Sequence, residues 1–308
     1  MFKKIFGSLV LLLVIWLFYW AIFVPKESLT GRISRELERQ SSKLDLFMKG
    51  VVFSEIVEGT KFWEIKARTS QINKDTGKAL LRDIDGMFFS NGDPSLRFTA
   101  PSVVWDMKSR QIKIDSPRGF DGNYNFTVPD LTWSLSRDSF WTEGPVIFVS
   151  GQGTIKGRGL SGSPGKAGVT IKGRPVASFS KGKSVLRLQA DVFSLDGVKG
   201  NLKASGGCLA SMEALSVTAK EMEYFKARSE VVVRGNVKVS YLDINASADT
   251  AVFAAGGSAV TLSGNAYAER LGSRMSAGRL KIDMKNNRII MEERPEVFVK
   301  EEDLGTKR

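Results

Sequence analysis

Between residues 186 and 300 the chain repeats itself. Ala190, Ala219, Ala248 and Ala277 follow one another at steps of 29 residues, and the text around each is related: LQADVFSL, VTAKEMEYF, ASADTAVFA, MSAGRLKID. A second marker, Gly206-Gly207, Gly235-Asn236 and Gly264-Asn265, returns at the same step. A fixed period of this size belongs to supersecondary units that cannot bury their apolar face alone and therefore stack. The units read as strands, because Val237/Val239, Ile244/Ala246/Ala248 and Leu280/Ile282/Met284 alternate with polar neighbours, and Val231/Val233 keep the same step within a valine run, the period of two of a half-buried strand. A looser copy stands earlier, where FTAPSVVW ending at Trp105 matches FTVPDLTW ending at Trp133, 28 residues on. The expectation is an all-β chain, a ladder of antiparallel strands in two similar halves.

Composition narrows the chemistry. There is no histidine among the 308 residues, which removes the commonest general base and transition-metal ligand. Cys208 is the only cysteine, so there is no internal disulfide and no thiolate metal site. Cys208 takes the repeat position of Val237 and Ala266 and reads as a small packed hydrophobe. The carboxylate pairs Asp83/Asp85 and Glu292/Glu293 read as solvated turn and strand residues, and Ser161-Gly162-Ser163 has no histidine partner. No catalytic residue, metal or cofactor is expected. A net charge of +12 favours anionic partners, although the predicted location below and the lack of a recognisable nucleic-acid module argue against nucleic acid.

The first 24 residues contain Lys3 and Lys4, then an uncharged run from Ile5 to Val24 with Trp16, Tyr19 and Trp20 toward its end. That length suits one crossing of a ~30 Å hydrocarbon core, and the lysines place the N-terminus in the cytoplasm. The run is longer than a signal-peptide core and ends in bulky residues, so a retained anchor is expected rather than a cleaved leader. Residues 25–49 read as a tether, 161–184 as a Gly/Ser/Lys-rich connection, and 301–308 as a polar tail. The strand-rich domains would then be 50–160 and 185–300.

The stretch GVVFSEIVEGTKFWEIKARTSQINKDTGKALLRDI, residues 50–84, resembles the start of the periplasmic domain of the LptC family. The likeness continues through Leu96–Trp105, Tyr124–Trp133, Gly144-Pro145-Val146 and Gly157-Arg158-Gly159-Leu160. The later text (Arg234-Gly235-Asn236-Val237, Ser247-Ala248-Asp249, Leu262-Ser263-Gly264-Asn265-Ala266) resembles the OstA/LptA lipopolysaccharide carriers. The resemblance implies a membrane-anchored, twisted, V-shaped antiparallel β-jelly roll with a lipid-sized groove between two sheets. It further implies a non-enzymatic bridge in the inner membrane, single-pass, with the bulk of the chain periplasmic. That bridge would receive lipopolysaccharide from an inner-membrane ABC transporter of the Lpt system and pass it to an LptA-like or outer-membrane LptD-like jelly roll by edge-strand addition. The alternative is an envelope scaffold or glycan-binding β-repeat protein with no lipid groove.

Alternation names the groove candidates. In the first half they are Phe53, Trp63, Ile65, Phe98, Val103, Trp105, Phe126, Leu131 and Trp133; in the second, Val217, Ala219, Val231, Val233, Ala248, Leu262 and Leu280. Val252 is also expected to face inward. The small residues at Ala190, Ala219, Ala246 and Ala248 leave room for alkyl chains between the sheets. Partner contacts are expected at the first strand (Val52, Phe53, Ser54) and the last (Val297, Phe298, Val299), where an open sheet edge invites strand addition.

Overall fold

The computed structural model describes residues 46–299 apart from Glu58, Asn91, Pro164, Gly165 and Gly182. The expected membrane anchor and most of the tether lie outside the described residues, among which no helix is long and apolar enough to cross a membrane. Contacts divide the chain into Met1–Leu46 and Phe47–Arg308, and the fold that follows is that of the second unit.

Alternating side chains make every described element a strand. β1 (Leu46–Val57), β2 (Thr60–Asn73), β3 (Lys78–Ser90) and β4 (Asp93–Asp106) pair in succession. β5 (Gln111–Asp115) and β6 (Arg118–Phe120) lie end to end along β4, then β8 (Asp130–Ser134) and β7 (Asn125–Thr127) pair with them, and both pair with β9 (Ser139–Ser150). β10 (Gly153–Ser163) follows on β9. β11 (Lys166–Ile171) and β12 (Val176–Lys181) share β10, and β14 (Val192–Asp196) and β13 (Ser184–Gln189) continue outward from them to β15 (Leu202–Met212). β16 (Leu215–Phe225), β17 (Glu230–Tyr241), β18 (Ile244–Ala254), β19 (Ala259–Arg270) and β20 (Ser273–Asp283) pair each with the next. β21 (Arg288–Glu292) and β22 (Glu296–Phe298) close the order side by side on β20. From β2 onward all pairings are antiparallel.

A lengthwise crease divides this ladder into two flanks. On β15, β17 and β19 the crease is a bulge at the repeated Gly-Gly or Gly-Asn pair, both residues of which have positive φ: 77° and 49° at Gly206-Gly207, 81° and 52° at Gly235-Asn236, 76° and 46° at Gly264-Asn265. Only a residue without Cβ enters that region freely, and asparagine tolerates it. Where a rung is made of two short strands, the break falls on the same line and usually holds proline (Pro117, Pro129, Pro175, Pro295), which cannot donate to the ladder. Thus the 29-residue marker is the bend of the sheet. Flank A holds β5, β8, β11, β14 and β21 with the matching halves of the long strands; flank B holds β6, β7, β12, β13 and β22.

The flanks face each other. Phe179 of flank B stacks on Tyr224 of flank A with centroids 4.0 Å apart, and Phe88 of flank B meets Trp133 of flank A edge-on at 4.8 Å. One buried apolar layer runs between them from Trp63 to Ile282. Cys208, Ala248 and Ala277 are buried beside the crease, where the flanks converge and leave space only for small side chains.

Two readings of the residues need correction. Val252 points outward, 36% exposed, while Ala251 and Phe253 are buried. The alternation changes phase at Asp249-Thr250, where β18 crosses the crease opposite the bulge of β19. Asp83 and Asp85 do not flank a turn: both lie within β3, Asp83 with φ 53° and paired to Arg68 at 3.5 Å, Asp85 paired to Arg97 at 2.8 Å. The stretch 161–184 carries the end of β10, β11, β12 and the start of β13, so the ladder runs through it.

Candidate functional site

An opening between the flanks lies in the first half of the described ladder. A cavity of about 550 Å³ is lined by Phe88, Phe98, Phe126 and Phe148 from flank B and by Leu131, Phe140, Leu160, Val169 and Leu195 from flank A. Its size and apolar lining match pockets that enclose most of a small ligand's surface. A second cavity of about 380 Å³ adjoins β1, lined by Phe53, Ser54, Glu55, Trp63, Trp105, Met107, Arg110 and Leu135.

Of the groove candidates, Phe98, Phe126 and Leu131 line the larger cavity and Phe53, Trp63 and Trp105 the smaller. Trp133, 2% exposed, packs between Trp63 and Phe88. Ile65 and Val103 are core residues of the same half. Val217, Val231, Val233, Leu262 and Leu280 are fully buried against one another in the second half, with Ala248 buried and Ala219 half-buried at the crease. Cavity residues not singled out by sequence include Leu160 and Val169, which lie beside or in the glycine-rich stretch where alternation is diluted by glycine, and Leu195 of β14 beyond it.

The mouth of the larger cavity is bridged. Asn123 at the tip of flank B donates its side-chain N–H to the carbonyls of Gly197 (2.8 Å) and Val198 (3.2 Å) at the tip of flank A. Tyr124 donates its hydroxyl to the Gly200 carbonyl at 3.0 Å, and Lys226 donates to Asn123 Oδ1 at 3.0 Å while lying over the Tyr124 ring. Asp121 accepts the backbone N–H groups of Asn123 and Tyr124. Burial nevertheless raises its carboxyl above the usual range, because desolvation outweighs those two bonds. Burial likewise pushes the Tyr124 phenol up. Comparable tip-to-tip bonds close the second half, from Tyr241 Oη to the Met284 carbonyl (2.8 Å) and from Arg270 Nη1 to the Asn287 carbonyl (2.7 Å).

The basic side chains of the glycine-rich stretch stay outside. From Gly144 to Ala190 there is no Asp or Glu and there are eight Lys or Arg, and those of them whose side chains are described are exposed. No group of His, Cys, Asp or Glu among the described residues is arranged to hold a metal ion.

The ladder's two outer rims are unpaired among the described residues. β1 pairs only with β2, and exposes Val52 (56%) with Ser54 beside half-buried Phe53; β21 and β22 pair only with β20, and Val297, Phe298 and Val299 are exposed. A family described as lipopolysaccharide-assembly, LptC-related, matches residues 8–174. The chain belongs to that family. In this LptC-related chain a second family, described as LptA/(LptD N-terminal domain) LPS transport protein, matches residues 141–288. The two matches overlap over most of β9 and all of β10 and β11, where the ladder is continuous. Among solved structures the chain is similar to LptH from Pseudomonas aeruginosa, the LptA homologous periplasmic component of the lipopolysaccharide transport device. That match has 15% identity, covers 37% of this chain and 94% of that one, and has a TM-score of 0.35. No curated protein matches the chain. The LptC-related protein is thus a member of the non-enzymatic lipopolysaccharide transport families, and its described residues are all-β.

Proposed function

We propose that this chain is a lipopolysaccharide-binding bridge that accepts its cargo from an inner-membrane ABC transporter and passes it across the periplasm. The residues before the described fold would anchor it by one span. β1 would receive a partner's strand on the transporter side, and β22 would add to an LptA-like or LptD-like sheet on the far side. The observation that carries this reading is the aromatic-lined cavity of about 550 Å³ between the flanks, beside a buried apolar layer that runs the length of the ladder. A scaffold or glycan-binding repeat has no use for such a space.

The physics is burial without chemistry. Each methylene removed from water is worth about 0.8 kcal/mol, so an acyl chain between the flanks is held by many small equal contributions and can advance without crossing one deep well. Energy for directed movement would come from the transporter. Leu131 borders the cavity, and Leu131→Asp places a charge where a chain must lie. In a reconstituted transfer assay this variant, once shown by thermal unfolding to be folded, is expected to lose transfer while remaining membrane-bound. Wild-type transfer by the folded variant would overturn the reading.

A further inference from the structure

Three tryptophans meet where the two cavities approach each other. Trp63 stands edge-on to Trp133, with centroids 5.3 Å apart and planes at 84°, and edge-on to Trp105 at 6.5 Å and 89°. Trp63 and Trp105 line the smaller cavity beside β1, while Trp133 reaches Phe88, which lines the larger one. The three rings therefore stand as a partition between the two cavities, with Trp133 packed behind Phe88.

Their indole N–H groups are not equivalent. Trp63 donates to Glu55 Oε2 of β1 at 2.6 Å. The Nε1 atoms of Trp105 and Trp133 are buried and have no hydrogen-bond partner among the described residues. Buried donors in folded proteins are nearly always paired, and phenylalanine would fill these positions without an orphan group. Two such donors, on one flank and at one partition, amount to an unmet demand for acceptor oxygens. A plain hydrocarbon cannot meet that demand.

We infer that the Trp105–Trp133 pair is a recognition point for the oxygen-bearing segment of an amphiphile. An ester or amide carbonyl, or a hydroxyl near the head of an acyl chain, accepts from these indoles while the chain extends into the cavity beyond. The inference rests on the lipid-carrying role proposed above and adds to it a preference among amphiphiles. It also explains why the partition is aromatic yet polar at its ring edges, since a ring that packs and donates selects as well as excludes water.

The test compares two amphiphiles with the same 12-carbon tail and the same phosphocholine head. Lauroyl lysophosphatidylcholine carries an acyl carbonyl and dodecylphosphocholine does not. Each is titrated below its micelle concentration into the full chain held in amphipol, as wild type and as Trp105→Phe, Trp133→Phe and the double variant. The carbonyl-bearing probe is expected to bind wild type about three- to tenfold more tightly, with the gap closing in the double variant and the carbonyl-free affinity unchanged. In ¹⁵N spectra of the wild type, two indole N–H signals should move downfield with the first probe only, a readout that survives if a variant fails to fold. Equal binding of both probes by wild type, or a gap that persists in the double variant, overturns the inference and leaves the lipid-carrying reading standing. Binding of neither probe overturns both.

Discussion

Lys226 reaches across the mouth of the larger cavity to Asn123, 103 residues earlier in the chain, and donates to its side-chain oxygen at 3.0 Å. Asn123 in turn donates to Gly197 and Val198, so one amide holds the tips of both flanks together. Asn123→Ala removes this clasp at a half-buried site and is expected to lower stability by about 1–3 kcal/mol. It should also speed proteolysis at residues 197–200. Urea unfolding and limited proteolysis measure both effects, and an unchanged midpoint with unchanged cleavage would show that the mouth is held shut without the Asn123 amide, by packing and the Tyr124–Gly200 bond.

The bend of the ladder gives a second prediction. Gly264 has φ 76°, and a Cβ there would lie 2.6 Å from Asp249 Oδ2. Gly264→Ala is therefore expected to destabilise by about 1–3 kcal/mol. Its neighbour Asn265, at φ 46°, is a residue for which glycine suits the backbone better. Asn265→Gly loses the exposed bond to Asp249 and should stay within about 1 kcal/mol of wild type. Equal losses at both positions in thermal unfolding would contradict the bulge as the cause of the repeat.

Asp243 and Arg270 tie pH to the second half. The Arg270 Nε lies 2.7 Å from Asp243 Oδ2, and this bond holds the carboxyl below its usual range. A carboxyl lowered in the folded state contributes stability above its unfolded pKa of about 3.9 and loses it as pH falls through the lowered folded value. The stability gap between wild type and Arg270→Gln should be constant near neutrality and shrink in acid. It should shrink to a remainder, because Arg270 also donates to the Asn287 carbonyl. A gap unchanged down to pH 2 would remove the carboxyl from the account.

Cys208 is 1% exposed, and burial raises its thiol to about 11. At pH 8 only about one thiol in a thousand is ionised at such a value. Native protein should therefore resist alkylation, and denaturant should release one reactive thiol. Rapid labelling of the folded chain would show that the crease opens locally.

The sequence carries the rungs and the bends but little of what lies between the flanks. Alternation in Val237/Val239 is written in β17 itself, and Gly264-Asn265 announces its own backbone region, so both could be read locally. Val252 could not, since its facing depends on a phase change imposed by the bulge of the neighbouring strand. The glycines of 151–184 resemble a linker by composition, yet Gly153 and Gly162 are glycine because a Cβ would meet the Ser178 carbonyl at 2.1 Å and the Phe140 ring at 2.5 Å. Close packing and flexibility leave the same letter in the text. The clasp at Asn123 joins residues 74 to 103 positions apart with no period to betray it, whereas Phe98, Phe126 and Leu131 of the cavity it borders are legible from alternation.

The central claim is that lipopolysaccharide acyl chains occupy the space between the flanks. Photo-reactive benzoylphenylalanine placed at Phe126 and Leu131, which line the cavity, and at outward-facing Thr127 and Lys113 measures this directly in cells exporting lipopolysaccharide. Lipopolysaccharide adducts are expected at Phe126 and Leu131 and none at Thr127 and Lys113. Adducts at all four positions, or at none of the inward pair in a folded and membrane-anchored chain, would contradict it.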